Sequence, residues 1–193
     1  TSKAERASWM LFFACWIAYA IISMSKSAYS AAIAPIVQSG VMEKSQAGLI
    51  NSGFYLLYGM AQLLGEKLVD RISPIVMVSF SLIGAAVTSL AMAFADGFLS
   101  MFILWSLCGL LQFAMYPAIL RVLAEYLLDE HKSKAMVYIS FSYCAGSLLN
   151  YLGSAMVLKF FDWRMIFVFS AAVIVLILIL WIFISKKTSG VLL

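Results

Sequence analysis

Long apolar segments separated by short polar ones run along the whole chain. A helix needs about 20 apolar residues to cross a bilayer, and the chain holds enough such segments for six spans. The hydrophobic pattern predicts them at 7–37, 46–69, 74–95, 98–127, 134–160 and 164–185. The pattern therefore predicts an all-α, polytopic membrane protein whose six transmembrane helices have the lipid bilayer as a partner.

The composition excludes most other classes of protein. Hydrophobic residues make up 64% of the 193 residues and charged residues only 11%, which is too apolar for a soluble domain. Cys15, Cys108 and Cys144 each lie in an apolar segment, and the single histidine, His131, lies in a charged loop. We therefore expect no metal site, no cofactor and no disulfide. No nucleophile, base and orienting group share one depth, so we do not expect an enzyme.

The basic residues indicate the orientation in the membrane. They are spread over several loops and do not line one face, which argues against nucleic acid as a partner. With the N-terminus in the cytoplasm, nine Lys and Arg residues fall on the inner side and three, Lys44, Lys159 and Arg164, on the outer side. The positive-inside rule then predicts a protein of the cytoplasmic membrane with both termini in the cytoplasm.

Four of the six predicted helices carry polar stripes, whereas the third and sixth are almost entirely apolar and are expected to face lipid. In the second helix, Asn51, Tyr55, Tyr58 and Gln62 recur at i, i+4, i+7 and i+11, which places them on one side. We expect such stripes to line a polar cavity. The alternative is that these side chains only bond neighbouring helices. The candidate cavity residues are Tyr19, Lys26, Tyr29, Asn51, Tyr55, Tyr58, Gln62, Gln112, Tyr116, Tyr143 and Asn150.

Lys26 is the strongest candidate for a functional residue, because the first helix continues well beyond it and the charge is therefore expected inside the membrane. A buried ammonium costs at least about 2.5 to 3.5 kcal/mol in a bilayer and needs water, a partner or a ligand. All nine acidic residues lie near predicted helix ends, so none shares the depth of Lys26. An anionic ligand would supply the missing charge. The alternative is a lysine that extends to the outer headgroups.

Prolines suggest an internal repeat. The first and fourth helices are longer than a span, and each contains a proline beyond its polar patch, Pro35 and Pro117. Each of these helices opens a group of three. Matching breaks at corresponding positions are typical of two inverted three-helix repeats.

A loop motif and several shorter matches carry a resemblance to a known family. The loop after the second helix contains Asp70-Arg71 and Ser73-Pro74, the fourth helix contains Arg121, and Asp162-Trp163-Arg164 opens the sixth. The chain resembles the Major Facilitator Superfamily, most closely its organophosphate:phosphate antiporter family. There are departures: Glu66 stands where the motif has glycine, and Ile75 and Val76 replace basic residues.

The resemblance implies the N-terminal six-helix half, residues 1–193, of a twelve-helix secondary transporter that works by alternating access. Asp70 and Arg121, with Arg71 and Glu125, match the charge network that gates such proteins. Members that carry organic phosphates have further cations near Gln62 and Tyr143, which this chain lacks. The implied substrate is therefore a small organic anion, phosphorylated or carboxylated.

Alternating access needs a second bundle, either a C-terminal half that is absent from this chain or a second copy. The missing initial Met and the end at 190–193 favour an incomplete chain. The alternative function is a membrane receptor, sensor or assembly subunit that binds without transport, which Glu66 in the gate motif favours.

The predicted orientation can be tested with cysteine labelling. Glu43→Cys and Asp96→Cys, made in a chain without its native cysteines, should react with a membrane-impermeant thiol reagent added outside intact cells, because both positions lie in predicted outer loops. Lys134→Cys should react only after the cells are permeabilised. Labelling of Glu43→Cys only from the inside would contradict this orientation.

Overall fold

A computed structural model describes residues 3–192, apart from the side chains of residues 4, 64–70 and 189–192. The described part consists of helices joined by short turns. The helices are α1 Lys3–Gln38, α2 Lys44–Arg71, α3 Pro74–Ala93, α4 Phe98–Leu111, α5 Met115–Tyr126, α6 Asp129–Val157 and α7 Arg164–Leu192. Because α4 and α5 follow each other as two parts of the predicted fourth span, these helices make the six predicted spans.

The break between α4 and α5 lies at residues 112–114. Pro117 explains it, since a proline has no N–H for the carbonyl four residues earlier, here Phe113, and its ring clashes with that carbonyl. The Gln112 N–H closes α4 by donating to the carbonyls of Cys108 and Gly109 at 3.2 and 3.3 Å. The sequence pattern predicted a matching break at Pro35. That prediction is wrong, because α1 continues through Pro35 to Gln38.

The helix pairing has the symmetry of an inverted repeat. α1 packs against α6 and α7, α2 packs against α4, and α3 packs against α4, α5 and α7. In an inverted repeat the first, second and third spans correspond to the fourth, fifth and sixth. Under this exchange the pair α1–α6 becomes the pair of the fourth span with α2, and the pair α1–α7 becomes the pair of the fourth span with α3. The largest of the contacts are unchanged by this exchange. The predicted 3+3 arrangement of an all-α membrane bundle is therefore confirmed.

Two glycines allow the closest of these approaches, one in each of the equivalent pairs. A Cβ at Gly146 of α6 would overlap the backbone carbonyl of Ala20 in α1, and a Cβ at Gly109 of α4 would overlap the carbonyl of Phe54 in α2. Small residues at such interfaces let two membrane helices come into backbone contact. The rotation of α6 about α1 and of α4 about α2 is thus fixed by glycine.

The third and sixth spans form an apolar pair. A groove of about 540 Å³ between them is lined by Ala86, Val87, Leu90, Val168, Ala171, Ala172, Val175 and Leu176. At the N-terminal end of α7, Arg164 joins α7 to α3 by donating to the carbonyls of Ala93 and Ala95 at 3.0 Å each and to the Asp96 carboxylate at 2.7 Å. This surface has the composition expected for contact with lipid.

Four described segments are long and apolar enough to cross a membrane. They are Glu5–Gln38, Pro74–Ala93, Phe98–Tyr126 and Arg164–Thr188. The remaining spans, α2 and α6, carry more polar side chains. They are also among the more exposed helices, since α2 buries one side on α4 and α6 buries one side on α1.

Substitution of Gly146 by Ala should lower the thermal stability of the bundle. The added methyl group would meet the Ala20 carbonyl, and overpacking of this kind costs about 1 to 3 kcal/mol. Gly59→Ala is the matched control, because a Cβ there has no neighbour within 4 Å. Thermal unfolding in detergent should show a lower midpoint for Gly146→Ala and an equal or higher one for Gly59→Ala. Equal midpoints for the two variants would contradict the packing argument.

Candidate solute-binding site

Lys26 lies inside the bundle on α1. Twelve residues separate it from the helix end at Gln38, which corresponds to about 18 Å along the axis. Its side chain is 5% exposed. The Nζ atom donates to the phenol oxygen of Tyr58 on α2 at 3.0 Å and lies 4.1 Å from the centre of the Tyr58 ring. The buried ammonium thus has a neutral aromatic partner.

No carboxylate pairs with Lys26 in the described part of the chain, where the ion pairs include those of Arg121 with Glu125, Lys132 with Asp129, and Arg164 with Asp96 and Asp162. The side chain crosses to Tyr58 on α2 and does not run along α1 toward its end at Gln38. This geometry disfavours the alternative in which Lys26 extends to the headgroups.

The polar stripe of α2 supplies the partner of Lys26. Gln62, one turn beyond Tyr58, donates from Nε2 to the same phenol oxygen at 3.0 Å. On the other side Phe54 stacks on the Tyr58 ring, with centroids 6.1 Å apart and planes 8° from parallel. Tyr58 is therefore held from two directions while its oxygen contacts Lys26.

The other two members of the stripe precede Tyr58 on α2. Tyr55 is 48% exposed. Asn51 is half-buried, and its Oδ1 is enclosed without a hydrogen-bond partner among the described residues.

Tyrosines from four spans converge beside Lys26. The Tyr19 ring of α1 lies 5.3 Å from that of Tyr116 in α5 and 6.5 Å from that of Tyr143 in α6. Tyr58 is near enough to interact electrostatically with all three, and Tyr55 with Tyr143. We call these five residues the tyrosine cluster. Within the described residues, the hydroxyl groups of its members other than Tyr58 have no hydrogen-bond partner.

Gln112 lies where the fourth span breaks, and it is fully buried. Its Nε2 donates to the Cys108 sulfur at 2.9 Å, and its Oε1 is enclosed with no partner among the described residues. Cys108 is also fully buried and is an electrostatic neighbour of Lys26. Gln112 thus joins the surroundings of Lys26 through Cys108 and does not itself face an open surface.

Two predicted cavity residues are placed inside helix interfaces instead. Tyr29 has no exposed surface, because its ring packs 5.4 Å from that of Trp105 and its hydroxyl donates to the Ala47 carbonyl at 3.1 Å. Asn150 is 2% exposed and accepts a hydrogen bond from Ser154 at 3.3 Å. In this structure neither side chain lies with the tyrosine cluster.

Two neighbours of the site were not singled out from the sequence. Cys108 was interpreted as a small hydrophobe, although its position four residues before Gln112 places the two on one face. Tyr151 is an electrostatic neighbour of Tyr55 and is 51% exposed. It follows Asn150 directly, at the end of the predicted polar stripe of α6.

The predicted gate is described in part. Arg121 of α5 donates to the Glu125 carboxylate from Nη2 at 2.7 Å and from Nε at 2.9 Å, and to the Ile72 carbonyl from Nη1 at 3.0 Å. It therefore joins the C-terminal end of the fourth span to the segment after α2. Arg71 is exposed. The Asp70 side chain lies outside the described residues, so its contact with Arg121 stays a prediction.

Proteins of known name resemble this chain over most of its length. The membrane sensor protein UhpC of Salmonella typhimurium is 24% identical over 149 residues, which are 77% of this chain and 34% of the sensor. A probable hexose phosphate transport protein of Chlamydia pneumoniae is 19% identical over 154 residues, which are 80% of this chain and 34% of that protein. The chain thus spans about a third of each relative. A hexose phosphate is an organophosphate, in agreement with the resemblance inferred from the loop motif.

A solved structure has the same fold. A bacterial homolog of the human lysosomal transporter Spinster, crystallised in an inward-facing and unoccupied conformation, superimposes with a TM-score of 0.78. The identity is 15%, and the match covers 95% of this chain and 44% of that one.

The family model described as the Major Facilitator Superfamily matches residues 15–192, which include most of the first span, the other five spans, Lys26 and the whole tyrosine cluster. With a match of this extent, and a helix pairing that has the symmetry of an inverted repeat, the chain belongs to the Major Facilitator Superfamily.

Proposed function

We propose that this chain is the N-terminal six-helix half of a secondary transporter that moves a small organic anion by alternating access. The observation that carries the proposal is Lys26, an almost fully buried ammonium whose described partner is a neutral phenol.

The energetics of Lys26 support an anionic ligand. A cation in the bilayer centre costs at least about 2.5 to 3.5 kcal/mol. The Tyr58 oxygen and ring offset part of this cost through a hydrogen bond and a cation–π contact. A hydrogen bond between charged partners is stronger than one to a neutral group, so an anion would compensate the ammonium better. The free hydroxyl groups of the tyrosine cluster would orient the rest of the solute.

The charge of the site supports a singly charged solute. Apart from Lys26, the Lys and Arg side chains of the described residues lie in turns or toward helix ends. One ammonium neutralises one negative charge, as a carboxylate carries. The similarity to a hexose phosphate transport protein supports a phosphorylated solute. Both classes belong in the first binding experiment.

The exposed helices α2 and α6 support a second bundle as partner. They carry too many polar side chains for a lipid surface, yet Tyr55, Tyr143 and Tyr151 are each at least 42% exposed. A second six-helix unit would cover these faces and enclose the tyrosine cluster. The unit is the C-terminal half of the transporter or a second copy of this chain.

The contact of Arg121 with the Ile72 carbonyl supports a gate at the inner end. Rocking of one bundle against another makes and breaks contacts at such ends. Arg121, Glu125, Arg71 and Asp70 form this gate in the proposed transporter. The protein lies in the cytoplasmic membrane with both termini inside.

A sensor is the second candidate, because the membrane sensor UhpC is among the relatives. A sensor of this fold binds the anion without moving it. Glu66, which departs from the gate motif, supports this candidate.

Substitution of Lys26 by Gln should weaken anion binding about tenfold to a hundredfold, the equivalent of a charge-assisted hydrogen bond of about 1.5 to 3 kcal/mol. Binding of gluconate and of glucose 6-phosphate is measured by calorimetry on purified protein in nanodiscs. Lys26→Arg should retain part of the affinity, since it keeps the charge with a different donor geometry. Lys159→Gln removes an exposed lysine and is the matched control. Unchanged affinity in folded Lys26→Gln would remove Lys26 from the site.

Transport and sensing are separated by flux. Vesicles that contain the transporter accumulate radiolabelled gluconate or glucose 6-phosphate, whereas vesicles that contain a sensor bind the label only at the protein's own stoichiometry. We expect accumulation once the second bundle is present. Binding without accumulation by the assembled protein would favour the sensor.

Arg121→Gln should slow flux at least about tenfold while anion affinity changes less than about threefold, because Arg121 belongs to the gate and not to the anion-binding site. Lys134→Gln, which removes an exposed lysine on the same inner side, is the control. Equal losses of flux in both variants would contradict the gate.

A further inference from the structure

Tyr58 covers Lys26 on the side of the tyrosine cluster. Its oxygen lies 3.0 Å from Nζ, its ring centre lies 4.1 Å away, and Lys26 retains only 5% of its surface. Tyr58 itself is half-buried and neighbours Tyr116 and Tyr143. An anion that arrives among the tyrosines therefore meets Tyr58 before it meets the ammonium.

Gln62 holds Tyr58 in this position. Its Nε2 donates to the phenol oxygen at 3.0 Å, so that one oxygen accepts hydrogen bonds from both Gln62 and Lys26. The two acceptor lone pairs of a phenol oxygen are thereby engaged. The pair Tyr58–Gln62 gives the ammonium an oxygen ligand supplied by the protein.

We propose that Tyr58 is a placeholder for the solute: in the empty site its phenol oxygen occupies the position on Lys26 that an oxygen of the anion takes. The inference rests on the proposed function, in which Lys26 binds the anion. Binding then requires the Tyr58 hydroxyl to leave Lys26, and the empty site never holds a bare buried ammonium.

The placeholder proposal predicts whether anion affinity rises or falls when Tyr58 is changed. A residue that competes with the anion weakens binding by the free energy of the contact that the anion has to break. Removing the hydroxyl alone, by Tyr58→Phe, leaves the ring and its cation–π contact in place. The ammonium of the empty site then lacks the hydrogen bond to the Tyr58 hydroxyl. The anion no longer has to break that bond, so its affinity increases by the corresponding free energy. If the Tyr58 hydroxyl instead donates a hydrogen bond to the bound anion, Tyr58→Phe would weaken binding.

The experiment is calorimetry on the purified full chain in nanodiscs, with gluconate and glucose 6-phosphate as the probes. Tyr58→Phe should bind the probe about two- to tenfold more tightly than the unmodified chain. Gln62→Leu should change affinity in the same direction by a smaller factor, because it frees Tyr58 without removing it. Tyr138→Phe removes a phenol oxygen from an exposed tyrosine of α6 outside the cluster and should leave affinity unchanged.

A double variant tests whether the gain acts through Lys26. The gain should vanish when Tyr58→Phe is combined with Lys26→Gln, since no ammonium remains to be released. Thermal unfolding of each variant shows whether it is folded. If Tyr58→Phe does not fold, Gln62→Leu tests the sign by itself.

The outcomes separate this inference from the proposed function. Weaker binding in folded Tyr58→Phe and Gln62→Leu, with Lys26→Gln still deleterious, would overturn the placeholder and leave the anion site intact. No binding of either probe to the unmodified chain, or full affinity in Lys26→Gln, would overturn the proposed function and the placeholder with it.

Discussion

A buried ammonium that has no carboxylate partner among the described residues is the constraint on which the site depends. Lys26 is almost fully buried on α1, and its cost in a bilayer is comparable to the contribution of a hydrogen bond to a charged group. On α2, the phenol oxygen and ring of Tyr58 offset part of this cost, and the Gln62 amide holds Tyr58 in place. A negatively charged solute would stabilise the ammonium more than the neutral phenol does, and this difference in free energy would drive binding.

The contact between Lys26 and Tyr58 requires α1 and α2 to keep one rotation relative to each other. Direct packing between them is slight, so their rotations are set by other partners, α6 for α1 and α4 for α2. Both of those interfaces contain a glycine that admits the neighbouring backbone, Gly146 and Gly109. Packing far from the ammonium thus positions the groups that surround it. The break before α5 adds Gln112 and Tyr116 to the same region.

The polarity of the site is also the basis for the second bundle in the proposed transporter. Tyrosines that are suited to hydrogen-bond a solute lie on α2 and α6, the two spans with the most polar composition and broad exposed faces. Such faces are unfavourable against lipid, so in the proposal the same residues that form the binding surface also contact a second bundle. The apolar pair α3 and α7 has no such need, and its groove is suited to lipid.

Hydropathy, proline geometry and the cost of a buried charge are local properties, so the sequence was sufficient to predict the six spans, the break at Pro117, the membrane family and a buried Lys26. Periodicity also showed which residues share a face. It could not show which neighbour that face meets, and so it grouped Tyr29 and Asn150 with the cavity and treated Cys108 as inert. The pairing of Lys26 with Tyr58, the hydrogen bond from Tyr29 to Ala47 and the continuation of α1 through Pro35 are visible only in the folded chain. Helix rotation is set by contacts between residues distant in the chain, such as Gly146 with Ala20, and a local sequence pattern does not contain those contacts.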